Sequence, residues 1–136
     1  MTSVLASLAL IAAVTSTAAH AAGANELLAA IERTARGEQP AFAGFSAERG
    51  KAFFTQRHGG DWSCSTCHSS DPRATGRHAV TAKPIEPLAP AANAARLTDL
   101  AKVDKWFRRN CRDVLARECT AAEKGDVVAY LLSLRP

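Results

Sequence analysis

The five residues Cys64-Ser65-Thr66-Cys67-His68 restrict this chain more than any other stretch. Two thiols separated by two residues and followed at once by an imidazole have the spacing of c-type haem attachment. Both sulfurs can face one porphyrin edge while the histidine is carried under the metal. One covalent haem c is therefore expected, held by Cys64 and Cys67 with His68 as an iron ligand. Two other chemistries use a Cys-x-x-Cys pair. A thioredoxin-like redox pair wants a strand-to-helix setting and no histidine ligand. A zinc site wants a second, closely spaced ligand pair, which Cys111 and Cys119 do not form.

The first charged side chain is Glu26, and before it Val4 to Val14 make an apolar run followed by small residues ending Ala19-His20-Ala21. This is the layout of a secretory leader, although Met1-Thr2-Ser3 carries no Lys or Arg. The run is too short to span a bilayer, so cleavage near Ala21 and a periplasmic protein are expected. The boundaries read as 1–21 signal peptide, 22–45 N-terminal helix and linker, and 46–136 the haem-carrying domain. With 136 residues and a formal net charge of +4, the chain has room for one small, mildly basic domain. No Lys/Arg stripe or aromatic RNA-binding motif accompanies that charge, so nucleic acid is not an expected partner.

The mature chain reads as all-α. Asn25 can cap a first helix with Leu27, Leu28 and Ile31 on one face, Arg33 and Arg36 in its last turn and Gly37 as its stop. A second helix starts after Ser46, carries Gly50, Phe53 and Phe54, and fades near Arg57. Residues 69–92 read as an irregular loop punctuated by Pro84, Pro87 and Pro90. Thr98 can cap a third helix that places Leu100, Val103, Trp106 and Phe107 on one side and ends at Asn110-Cys111. Thr120-Ala121-Ala122-Glu123 is a capping box opening a last helix with Val127, Val128, Leu131 and Leu132 as its stripe. Four short helices and long loops make a poor core alone, and a buried porphyrin supplies the missing apolar centre.

Cys111 and Cys119 are an even pair in an exported chain, where a disulfide is expected. Closing so short a loop stabilises by about 2 to 3 kcal/mol on the chain-entropy model. The sixth iron ligand is open. The only methionine is Met1, which leaves with the leader, so a His/Met pair is excluded. His58 lies in a Gly-Gly turn and His78 in a polar loop, both ordinary places for a surface histidine. Asn110 follows Trp106 and Phe107 on an apolar helix, where an asparagine more commonly caps the helix end.

From Ala47 to Leu134 the chain resembles the SHP (sphaeroides haem protein) family of high-spin, oxygen-binding cytochromes c. The likeness runs through Arg49-Gly50-Lys51, the Cys64 to His68 motif and Ile85-Glu86-Pro87-Leu88-Ala89-Pro90. It continues in Val103-Asp104-Lys105-Trp106, Arg109-Asn110-Cys111 and Cys119-Thr120-Ala121-Ala122-Glu123-Lys124. The resemblance implies a class I cytochrome c fold, a disulfide between Cys111 and Cys119, and Asn110 as sixth ligand of the ferric haem. It further implies electron uptake coupled to binding of O2, NO or CO on the ferrous state. A dihaem cytochrome c and a membrane cytochrome b are the implied electron donors. Leu100, Trp106 and Phe107 are then expected to line a distal pocket, with Arg108 or Arg109 near a bound ligand or a propionate. Two other readings stand beside this one: a plain carrier ligated by His58 or His78, and an enzyme that removes NO or peroxide with O2.

Overall fold

The computed structural model describes residues 15–136, with side chains from residue 23 onward. Most of the leader expected over residues 1–21 lies outside the described residues. Five helices are described: α1 (Thr15–Glu38), α2 (Ala47–Thr55), α3 (Cys64–His68), α4 (Leu100–Leu115) and α5 (Ala121–Ser133). Two short antiparallel strands, β1 (Gly76–Arg77) and β2 (Pro84–Ile85), pair between α3 and α4. None of the described helices is long and apolar enough to cross a membrane.

The core gathers around α5. Leu27, Ile31 and Ala35 recur every fourth residue on α1 and are buried with Val127, Val128 and Leu131 in the same cluster. Such spacing builds one apolar stripe on a helix. Helix α2 packs more closely still on α5, because Gly50 brings its backbone against the carbonyl of Asp126 with no space for a side chain. Gly125 likewise leaves room for the ring of Phe45. A buried polar group locks this crossing. The Asp126 carboxylate accepts from the backbone N–H of Ser46 at 2.7 Å and from Arg49 Nε and Nη2 at 2.7 and 2.8 Å. A carboxylate with that many donors is satisfied despite being nearly buried.

Caps explain several boundaries. The Ser46 hydroxyl accepts from the Arg49 N–H, and Thr120 and Glu123 bond reciprocally as a capping box. Three expectations need correction. Asn25 does not start α1, which runs through it from Thr15 because the stretch before it is rich in alanine and holds no proline, and the single Gly23 does not break it. Thr98 does not cap α4: its hydroxyl donates to the Ala95 carbonyl, and Asp99 accepts from the Lys102 N–H at 3.0 Å instead. Helix α4 does not end at Asn110 but continues to Leu115, where Ala116 turns left-handed at φ 56°. The loop after α3 is also less irregular than expected, since the 76–77 and 84–85 segments pair.

Candidate haem-binding site

A cavity of about 590 Å³ opens between α2, α3, α4, α5 and the loop from 78 to 99, a volume within the range of small-molecule cofactor sites. Its walls include Phe53, Phe54, Leu88, Leu97, Val103, Phe107, Val127 and Leu131. Cys64, Cys67 and His68 all line it. They are presented by a single helical turn whose start is set locally. Ser63 accepts from the Thr66 N–H while the Thr66 hydroxyl accepts from the Ser63 N–H, at 3.2 and 2.9 Å. That box fixes the turn and with it the side on which both thiols and the imidazole emerge.

The chemistry of these three groups fits covalent haem. Burial, helped by the Arg96 charge, pushes the His68 pKa down to about 4, so the ring is neutral and able to ligate at ordinary pH. Its Nδ1 is buried without a hydrogen-bond partner among the described residues, and an orphan of that kind costs on the order of 1 to 3 kcal/mol. The Phe54 ring, 6.4 Å from the imidazole, supports it from α2. Burial raises the Cys64 pKa to about 11, which keeps it protonated at ordinary pH. The competing chemistries find no support in the geometry. The Cys64-Cys67 pair follows no strand, and among the described residues no three His, Cys, Asp or Glu side chains gather as a metal cage requires.

Asn110 lines the cavity together with His68. Because α4 runs on past it, its side chain is not spent on capping. Cys111, beside it, is bonded to Cys119 with the Cα atoms 5.7 Å apart, so the expected disulfide is present. Trp106 and Phe107 line the same cavity, but Leu100 does not. A helical Cα–Cβ bond tilts toward the N-terminus, so a first-turn residue such as Leu100 overhangs the helix end. Of the two arginines considered, Arg109 lines the cavity and stacks over Trp106 at 5.8 Å, whereas Arg108 does not contribute to the lining.

The two candidate histidines are placed very differently. His58 lies outside the cavity lining, stacked on Phe53 with its Nε2 2.8 Å from the Phe53 carbonyl oxygen. His78 lines the cavity, but its Nδ1 accepts from the N–H groups of Val80 and Thr81, each at 3.2 Å. A neutral imidazole accepting at Nδ1 carries its proton on Nε2, which then has no lone pair for a metal. Sequence reasoning missed Arg96 altogether. It lines the cavity and donates to the carbonyls of Pro87 and Glu86 at 3.0 and 3.1 Å.

A family model described as a domain of unknown function, DUF1924, matches residues 40–131. The chain is 45% identical over 98 residues to the cytochrome c-type protein SHP of Cereibacter sphaeroides, covering 69% of this chain and 75% of that protein. The structure of oxidised SHP, described as an oxygen-binding cytochrome c, superposes with a TM-score of 0.71 at 40% identity, over 82% of this chain and 96% of that one. A solution structure of cytochrome c'' from Methylophilus methylotrophus, described with reference to haem-ligand detachment, gives a TM-score of 0.74 at 34% identity, over 85% and 96%.

Proposed function

The chain belongs to the family of haem c-carrying cytochromes that includes SHP and cytochrome c'', and from this we propose a periplasmic protein that takes up one electron and then binds a diatomic ligand, O2, NO or CO. Cys64 and Cys67 would hold the cofactor and His68 would ligate its iron. Bound haem c would supply an iron able to cycle between ferric and ferrous states.

One observation carries the proposal. Asn110 faces the cavity that also holds His68, on a helix that does not need it as a cap. Its amide oxygen is a hard, neutral donor suited to Fe(III) and poorly matched to Fe(II). Asn110 would therefore hold an oxidised iron more firmly than a reduced one, and Val103, Trp106 and Phe107 give the cavity an apolar lining beside it. The Cys111–Cys119 bond holds the main chain beside Asn110 while the side chain moves. Two relatives support the same logic, one described as binding oxygen and the other as detaching a haem ligand. A carrier with His/His ligation would depend on His78, whose Nδ1 already serves the loop backbone.

The electron donors, on this reading, are a dihaem cytochrome c and a membrane cytochrome b. A ferrous absorption spectrum recorded with and without CO tests the proposal. A CO-induced shift of the Soret band is expected, and an unchanged low-spin spectrum rejects it.

A further inference from the structure

The stretch from Pro72 to Ile85 contains Arg73, Arg77, His78 and Lys83 and no acidic residue. Of its flanking acids, Asp71 is ion-paired with Arg73, whereas Glu86 accepts from the neutral Asn93 amide and keeps its charge. Neither Arg77 nor Lys83 enters an ion pair among the described residues. Between β1 and β2 the chain forms a tightly bonded loop. His78 Nδ1 accepts from the Val80 and Thr81 N–H groups, and Arg77 donates to the Ala82 carbonyl at 2.8 Å. The His78 backbone N–H donates to the Lys83 carbonyl and the Ala82 N–H to the His78 carbonyl, each at 2.9 Å. At its tip Val80 is 69% exposed, more than Leu100 or Trp106. A lone exposed valine means nothing by itself. Here, however, five hydrogen bonds hold it out in water, so little order remains to be gained when a partner covers it.

The same loop is tied to the haem-attachment helix. The Ala79 N–H donates to Cys67 Sγ at 3.4 Å. The backbone of Gly76 presses on the Cys67 carbonyl with no space for a side chain. One peptide and one hydrogen bond thus separate the exposed tip from a sulfur that anchors the cofactor.

We propose that this loop is the docking face for a one-electron donor protein that presents acidic side chains around an apolar patch. The proposal rests on the electron-uptake reading above. The donor loses one electron and the ferric iron gains it; no bond is made and no proton moves. Arg77 and Lys83 attract the acidic rim, and Val80 seats in its centre. Electrostatic steering of this kind raises the association rate and weakens with salt.

Reduction of the ferric holoprotein by two donors tests it: flavodoxin hydroquinone, an acidic flavoprotein, and photogenerated neutral lumiflavin semiquinone. At low ionic strength Val80→Asp and Lys83→Glu are expected to slow the flavodoxin reaction tenfold or more and to keep the lumiflavin rate within twofold. Arg33→Glu makes the same charge change on α1, which contributes nothing to the cavity lining, and is expected to leave both rates unchanged. Equal flavodoxin rates in all proteins overturn the docking face. So does a slowing by Arg33→Glu equal to that by Lys83→Glu, which reports overall charge, or a slowing of both donors by Val80→Asp, which reports a disturbed iron environment. If neither donor reduces the wild-type protein, electron uptake itself fails, and the docking face with it.

Discussion

Gly50 of α2 lies directly against the backbone of Asp126 in α5, at a separation that no Cβ could occupy. The contact sets how closely the two helices cross. The crossing in turn positions Phe54, one turn further on, between Tyr130 and the His68 ring, at 5.7 and 6.4 Å. The helix pair that forms the core therefore also supports the side chain expected under the iron.

Gly50→Ala tests this dependence. The added methyl meets main-chain atoms, which cannot swing aside, so the helices must separate. Overpacking of this sort costs about 1 to 3 kcal/mol, and rigid backbone places it at the upper end. Urea unfolding of the holoprotein should show the loss. Gly37→Ala, whose new carbon meets nothing within 4 Å near the end of α1, should be neutral or gain about 0.5 to 1 kcal/mol.

The disulfide yields a second expectation. It links two cysteines eight positions apart and so closes the connection from the end of α4 to the start of α5. Replacing both cysteines by serine should lower stability by about 2 to 3 kcal/mol, since the unfolded chain regains the closed loop's freedom. Because Cys111 is next to Asn110, the ferric absorption spectrum should also broaden or become heterogeneous. A double variant with unchanged unfolding midpoint and spectrum would show that the bond holds neither the chain nor the ligand.

A third expectation concerns acid. The Glu123 carboxylate receives the Arg117 guanidinium and the Thr120 N–H, with contacts of 2.7 to 2.9 Å. Arg117 is the main reason its pKa lies below the usual glutamate value. A carboxyl with a depressed folded pKa contributes stability that is present above its unfolded pKa and is lost as pH falls through the folded one. Glu123→Gln should therefore lower stability at neutral pH and flatten the decline between neutral and acidic solution. Unfolding midpoints measured from pH 7 down to pH 3 check this. An acid limb as steep as that of the wild type argues against the assignment.

What the sequence makes legible is local. The Ser46, Thr120 and Glu123 caps are read correctly because donor and acceptor lie within three residues of each other. The Cys64 to His68 motif is equally local, and its three side chains line one cavity. Thr98 and Asp99 can both cap, and the choice depends on where the backbone turns, which no side-chain pattern announces. Asn110-Cys111 looks like a helix stop, yet α4 ends without glycine, at Ala116 in the left-handed region. Arg96 enters the site through carbonyls nine and ten residues away, a relation set by loop packing and by no periodicity. His78 shows the opposite case: its residue type suggests a ligand, and its hydrogen bonds give it to the loop.

The last expectation is that Asn110 binds the ferric iron and leaves on reduction. Asn110 and His68 line one cavity, the chain has no distal methionine, and both candidate histidines are bonded to backbone groups. Asn110→Ala should convert the ferric absorption and paramagnetic resonance spectra to a water-bound or five-coordinate form. The CO-bound ferrous spectrum should change far less, since the amide has already left in that state. Asn110→His separates ligation from packing, because imidazole binds both oxidation states well and should hold the ferrous iron low-spin, weakening CO binding by at least tenfold. Ligation by His78 makes the reverse forecast. His78→Ala would then turn a low-spin ferric spectrum high-spin while Asn110→Ala left it alone, and the protein would be a simple electron carrier.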